Sequence, residues 1–351
     1  MKLMAALAAV SVLAGCAAGP RVMMYFPENA GNAVLKAWPD ADRVPRLEYA
    51  GQLVGEDNFV AESGSEGRGK RFFRWIVGLA NGARNAERLI RPQSGVVDAA
   101  GRILVTDAGR QGIFVFDENN GTFDIWYAAG PDLDFSSPVG IAERSAGDFI
   151  VADAELAEVF VLAPDGQPIG RFGAGDLVRP TGVGIDKVTG LIYVADTGAH
   201  QVKVFTSGGE LARTIGVPGD APGELNAPMH ISVSGGRVYV SDTLNARVQI
   251  FSANDGKLVG LIGRRGLFVG NLVRPKGVAV DSDNNVYVVE SYHDHLLIYN
   301  DAGEFLLPVG GTGSNIGQFF LPAGAWSDDN DRIFISDMFN GRVIILRYVG
   351  A

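Results

Sequence analysis

The chain has 351 residues, 47% of them hydrophobic and 20% charged, with 47 glycines, one cysteine and a formal net charge of −10. This balance excludes a disordered chain, which lacks the apolar residues to build a core, and the acidic excess argues against a nucleic-acid partner, whose phosphates must be met by Lys and Arg. With Cys16 alone, no intramolecular disulfide is available.

In chain order, residues 1–15 read as a signal peptide, with Lys2 at the start, an apolar run from Leu3 to Leu13, and the small residues Ala14 and Gly15. The run is shorter than the roughly 20 residues a spanning helix needs. Leu13-Ala14-Gly15-Cys16 resembles the lipobox of bacterial lipoproteins. That resemblance implies cleavage before Cys16, diacylation of its thiol, and an exported protein held on a membrane by acyl chains. Ala17, where that family places an aspartate for inner-membrane retention, implies the outer membrane, facing the periplasm.

Residues 16–45 read as a linker, and 46–351 as one all-β domain. The segment 46–54, "RLEYAGQLV", has strand composition although it lies ahead of any repeat. The segment 67–85 is basic in an acidic chain. Phe72, Trp75, Ile76 and Leu79 follow helical spacing beside Lys70, Arg71 and Arg74, which predicts a short amphipathic helix. Three uses are open to it: packing on the domain, lying on a membrane surface, or binding a partner.

From there the sequence repeats six times. A proline precedes a Gly- and Val-rich run at Pro92, Pro138, Pro180, Pro228, Pro275 and Pro322, spaced 46, 42, 48, 47 and 47 residues apart. An acid ends the following strand in step with it, at Asp107, Asp153, Asp196, Asp242, Glu290 and Asp337. Each unit reads as four strands separated by turns such as "DSDNN" and "APDG", and a period of this length with such strands is the sign of a propeller. Blades are expected to start near 89, 135, 177, 225, 272 and 319. Small residues belong on the crowded innermost strand, and Gly140, Gly182, Gly277 and Gly324 stand there, two residues after their prolines. The last unit lacks an outer strand, so 46–54 is expected to supply it and close the ring.

Proline, glycine-valine strand, "YVAD" or "YVSD" and a "RVQVF"-like segment together resemble the NHL repeat, and "VYVSDTLNARVQIF" from Val238 fits closely. The resemblance covers 89–349 and implies a six-bladed β-propeller of four-stranded antiparallel blades. NHL propellers serve as interaction platforms, as sensors and, less often, as enzymes, so the resemblance is far more specific for fold than for function. The lead-in "WPDADRVPRLEYAG" from Trp38 is also similar to that of six-bladed NHL lipoproteins found in bacteria beside multihaem cytochromes. This implies a place near respiratory or envelope assemblies, although without a CxxCH motif the chain does not itself attach haem.

By propeller convention the prolines and terminal acids share one rim, and a site is sought there. The acids are expected to accept N–H bonds within their turns rather than form a functional ring. His230 stands where four repeats have glycine and is the leading candidate to project into the channel; His200, His293 and His295 lie in turns of neighbouring blades. Arg91, Arg179 and Arg274 precede three of the prolines and either offer guanidinium groups to an anionic partner or pair with nearby acids. The sequence also resembles NHL-fold amidating lyases in architecture. Those present histidines from several blades where this chain has Ser94, Gly140, Gly182, Gly277 and Gly324, a departure that counts against a metal site. The Asp-rich turns at Asp281 and Asp283 and at Asp328, Asp329 and Asp331 lack a distal bidentate glutamate and read as ordinary turns, not calcium loops.

Two functions follow. The first is a non-enzymatic interaction module, anchored through Cys16, with an envelope protein as partner and no cofactor. The second is a hydrolase or lyase working at the channel mouth, with His230 as base or ligand.

Overall fold

The structure, a computed structural model, describes residues 21–25, 36–39, 44–61, 86–144 and 147–349. The leader, Cys16 and the segment 67–85 expected to be helical lie outside the described residues.

Runs of β-branched and aromatic residues broken by turn residues form up-and-down antiparallel sheets. Blade one takes Pro92–Val97, Ile103–Asp107, Gly112–Asp117 and Thr122–Trp126 in that spatial order. Blades two to five repeat the order, their innermost strands being Pro138–Glu143, Pro180–Ile185, Pro228–Ser234 and Pro275–Val280. Blade six is built from Ala325–Ser327, Arg332–Asp337 and Arg342–Tyr348, and Leu47–Leu53 then pairs antiparallel with the last of these, Leu53 opposite Val343 and Leu47 opposite Tyr348. The innermost strands contact their neighbours around a full circle, blade six meeting blade one. The molecule is a six-bladed β-propeller closed by its early strand, as the repeat predicts.

The closure goes one strand further than expected. Ala37–Trp38, inside the segment read as linker, pairs with Leu47–Leu53 as a fifth strand, and Trp38 is buried between blades five and six. Two residues carry too little periodicity to be recognised, and burial of the indole supplies what pattern does not. Arg21–Met23 pairs with Phe59–Ala61, and Met23 and Phe59 join the apolar cluster between blades six and one.

The second strands are buried along their length, save the half-buried Arg237 and Arg332 that begin those of blades four and six, because both faces of a blade press on neighbours. The core is accordingly six clusters, each shared by two adjacent blades. Every fully buried Val, Leu, Ile or Phe contributes about 1.5–3 kcal/mol to that cohesion. Hydroxyl groups add inter-blade bonds: Thr106 donates to the carbonyl of Val139, Thr197 to Pro228 and Thr243 to Pro275.

The terminal acids hold the turns, as expected. Asp107 is fully buried, and its carboxylate accepts the N–H groups of Ile90 and Arg91 before the proline and of Gly109 and Arg110 after the strand. Asp153, Asp196 and Glu290 repeat this arrangement. In blades four and six, Asp242 and Asp337 exchange some of those bonds for an asparagine and an arginine, Asn245 with Arg247 and Asn340 with Arg342.

Candidate functional site

The innermost strands leave an axial shaft of about 650 Å³. It runs along their carboxyl-terminal halves and opens among the turns between first and second strands, on the face opposite the proline and acid rim. Sequence reading looked for a site on that other rim; the cavity is displaced because the small residues after the prolines let the strands close together there. A Cβ added to Gly140 lies 2.3 Å from the carbonyl oxygen of Thr181, one on Gly182 lies 2.6 Å from Cα of His230, and one on Gly324 lies 2.1 Å from the carbonyl oxygen of Gln93. Further along each strand the ring widens.

His230 forms the floor of the shaft with Ser94. Of the six equivalent positions these two alone are not glycine, and they belong to blades one and four, which face each other across the axis. The Val278 N–H, from blade five, donates to Nδ1 of His230 at 3.4 Å, and Nε2 lies 3.3 Å from Oγ of Ser94. With Nδ1 accepting, the ring proton belongs on Nε2, which donates to the serine. Burial of the imidazole lowers its pKa from 6.5 to about 4, so it is neutral near pH 7. Sequence reasoning found the histidine but not its partner, since nothing in one strand says which residue lies across the ring.

Above this floor the wall mixes apolar residues, Val97, Val183, Ile231, Val233, Val280 and Trp326 among them, with Ser232, Ser234 and Ser327. The mouth is rich in acids: among the described residues Asp98, Glu143, Asp281, Asp328, Asp329 and Asp331 line it, together with Lys187 and Arg332. Asp328 is neutralised by Arg332 at 2.7 Å, and Asp98 by Arg102 at the same distance. Asp331 accepts from the backbone N–H and hydroxyl of Ser282. Glu143 accepts the N–H of Ala99, and its pKa is raised, first by burial and then by Asp98 beside it. Asp281 and Asp328 also close their own turns, which is the role sequence reading gave them. Their convergence on one opening is what only the ring brings about.

The other sequence candidates do not gather at the shaft. His200 accepts the Ala227 N–H through Nδ1, at 3.1 Å, in a turn of blade three. His293 stacks edge-on with Tyr292, and His295 bonds through Nδ1 to the carbonyl of His293. Among the described residues, no three His, Cys, Asp or Glu side chains are grouped to hold a metal ion. Arg179 makes a 3.4 Å ion pair with Glu155, both half-exposed, a contact worth at most about 1 kcal/mol. Arg91 and Arg274 donate their backbone N–H groups to Asp107 and Glu290 and carry their side chains exposed on the proline rim.

Six blades round a plugged axial shaft define a β-propeller with one recessed, acid-mouthed cavity. Comparison with known proteins adds the repeat class: the family model for the NHL repeat matches residues 177–205. The human E3 ubiquitin-protein ligase NHLRC1 is 30% identical over 120 residues, 34% of this chain and 29% of that protein. Human NHL repeat-containing protein 3 is 32% identical over 142 residues, 37% of this chain and 39% of that one. The chain thus spans well under half of either relative. Among solved structures, a streptogramin B lyase matches with a TM-score of 0.56 at 14% identity, over 75% of this chain and 83% of the lyase. A gluconolactonase from Xanthomonas campestris matches with a TM-score of 0.58 at 17% identity, over 74% and 86%. At such identities these two likenesses concern the fold.

Proposed function

We propose that this chain is an exported, lipid-anchored NHL-type propeller that binds a protein partner without catalysing a reaction, and that the partner inserts a basic, partly apolar segment into the shaft. The observation that carries the reading is the state of the floor. Both nitrogens of His230 are committed, one to Val278 and one to Ser94, so the imidazole fills the channel rather than presenting a free lone pair to a metal or substrate. The apolar residues of the wall and the acids of the mouth suit a side chain with an aliphatic stem and a cationic end. Anchoring would come from the acylated Cys16, and the similarity of the lead-in to propeller lipoproteins found near multihaem cytochromes favours an envelope or respiratory assembly as the setting.

A photo-crosslinking residue placed at Asp329, on the mouth, tests this in intact cells, with Val259 on an outer strand as the control position. A discrete protein adduct from position 329 that is absent from 259 is expected. Adducts from neither position, or stoichiometric metal in the purified protein that is lost in a His230→Ala variant, would remove the reading in favour of channel chemistry. Anchoring is read separately, as incorporation of an alkyne fatty acid that a Cys16→Ala variant abolishes.

A further inference from the structure

Three connections between an outer strand and the next blade's proline are built alike. Each contains two glycines four residues apart, Gly219 with Gly223, Gly266 with Gly270 and Gly313 with Gly317, and each is closed by the same parallel bridge, Pro218 to Leu225, Arg265 to Leu272 and Thr312 to Phe319. The first glycine N–H donates to the carbonyl of that second bridge residue in all three. Between the glycines stand Asp220-Ala221-Pro222 in one and Ser314-Asn315-Ile316 in another, but Leu267-Phe268-Val269 in the third, 71%, 83% and 58% exposed. Since the same turn forms with Asp-Ala-Pro and with Ser-Asn-Ile, its geometry does not require three large apolar side chains. Their retention in water costs hydrophobic free energy that only a covering surface recovers.

The exposure continues across the rim of blades four to six. Tyr292, Phe320 and Phe339 are 58%, 44% and 56% exposed, the last two in ring contact. Hydrogen bonds join these loops into one sector: Arg265 to the Leu244 carbonyl, Ser291 N–H to the Arg274 carbonyl, Leu321 N–H to Asp294, and Phe339 N–H to the Phe320 carbonyl. Within residues 243–246, 263–274, 291–294, 311–321 and 338–341 the charged side chains are Arg264, Arg265, Arg274 and one acid, Asp294. Asp294 is buried and its carboxylate is taken by Thr312 and Leu321. An apolar sector with three arginines and no exposed acid of its own thus stands on a chain of net charge −10, bordered by the loop before Pro228, which carries Asp220 and Glu224.

We propose that this sector rests on an anionic lipid surface, with Leu267, Phe268 and Val269 inserted among the headgroups and the three arginines against phosphates. Three consecutive apolar side chains at the tip of a loop suit insertion into a deformable interface, and flanking guanidinium groups are drawn to anionic lipid. The orientation deepens the anchoring half of the proposed function: the rim faces the membrane, and the acidic mouth of the shaft, on the opposite face, points away from it toward a partner.

The test uses the full chain carrying Cys16→Ala, so that no acyl chain contributes, with Phe268→Trp added. Vesicles of phosphatidylglycerol with brominated acyl chains are expected to quench emission beyond that of the Cys16→Ala parent, whose own tryptophans supply the baseline. Converting Arg264→Gln and Arg274→Gln together should weaken vesicle binding by about 25-fold, about 5-fold per arginine. Absence of extra quenching, in Phe268→Trp and equally in Val269→Trp, overturns the proposal, as does equal quenching by phosphatidylcholine vesicles. A protein adduct formed at position 268 in cells without lipid quenching in vitro would overturn it too and assign the sector to a protein. Fatty-acid labelling at Cys16 fails or succeeds independently of these outcomes.

Discussion

His230 carries a pH dependence whose sign is fixed by its burial. The folded imidazole stays neutral down to about 4, whereas an unfolded histidine takes up its proton near 6.5. Between those values the unfolded chain binds more protons, so this group's contribution is complete above pH 6.5 and is lost as the pH falls toward 4. The loss amounts to about 3 kcal/mol. Urea unfolding of the wild type and of His230→Gln across this range isolates it: the wild type should lose that much more than the variant, and parallel pH profiles would refute the assignment. The buried acids differ in kind, because each is held by donors that no other side chain replaces. Asp107→Ala leaves four backbone N–H groups without their acceptor and should cost about 3–5 kcal/mol, read as a lower urea midpoint.

At the level of the strand, the inner positions show why this chain alternates between glycine and one large residue. Where Gly140, Gly182, Gly277 and Gly324 stand, backbone of the next blade occupies the space a side chain would need. Gly324→Ala forces a Cβ to within 2.1 Å of the Gln93 carbonyl oxygen, and the blades must part to admit it. A fall of about 2–3 kcal/mol in stability is expected, measured by thermal or chemical unfolding. The same substitution at Gly175, where a Cβ meets nothing but φ is +81°, is strained only through its backbone and should cost less, about 1 kcal/mol. Equal losses at the two sites would show that crowding at the axis is not the constraint.

For the whole molecule, stability depends on closure. Leu47–Leu53 seals the edge of Arg342–Tyr348, and Leu47, Tyr49 and Leu53 each reach an apolar cluster beside blade six. Without that strand blade six has an open edge, and the seam between the chain's two ends is lost. Deleting residues through Val54, or introducing Leu53→Asp with Tyr49→Asp, should lower the melting temperature of the entire propeller and raise hydrogen exchange in every blade. A truncated protein that melted like the parent, or that exchanged faster in blade six alone, would show that the ring does not unfold as one unit.

Much of this was legible in the chain itself, because a propeller repeats one local pattern. Proline register, alternating apolar strands, turn residues and the missing sixth outer strand all lie along the sequence, so blade number and the role of 46–54 follow from counting. The terminal acids were equally readable, since the bonds they accept come from neighbours and from the residues before their own proline. What counting does not reach is distance across the ring. Ser94 and His230 stand 136 positions apart and meet only because blades one and four face each other. The acids of four separate turns become one mouth, and Leu267-Phe268-Val269 joins Phe320 and Phe339 in one apolar rim, only once six blades have set their angles about a common axis. Local periodicity determines the blade; closure of the circle decides which side chains share a space, and so where a ligand or a membrane can be met.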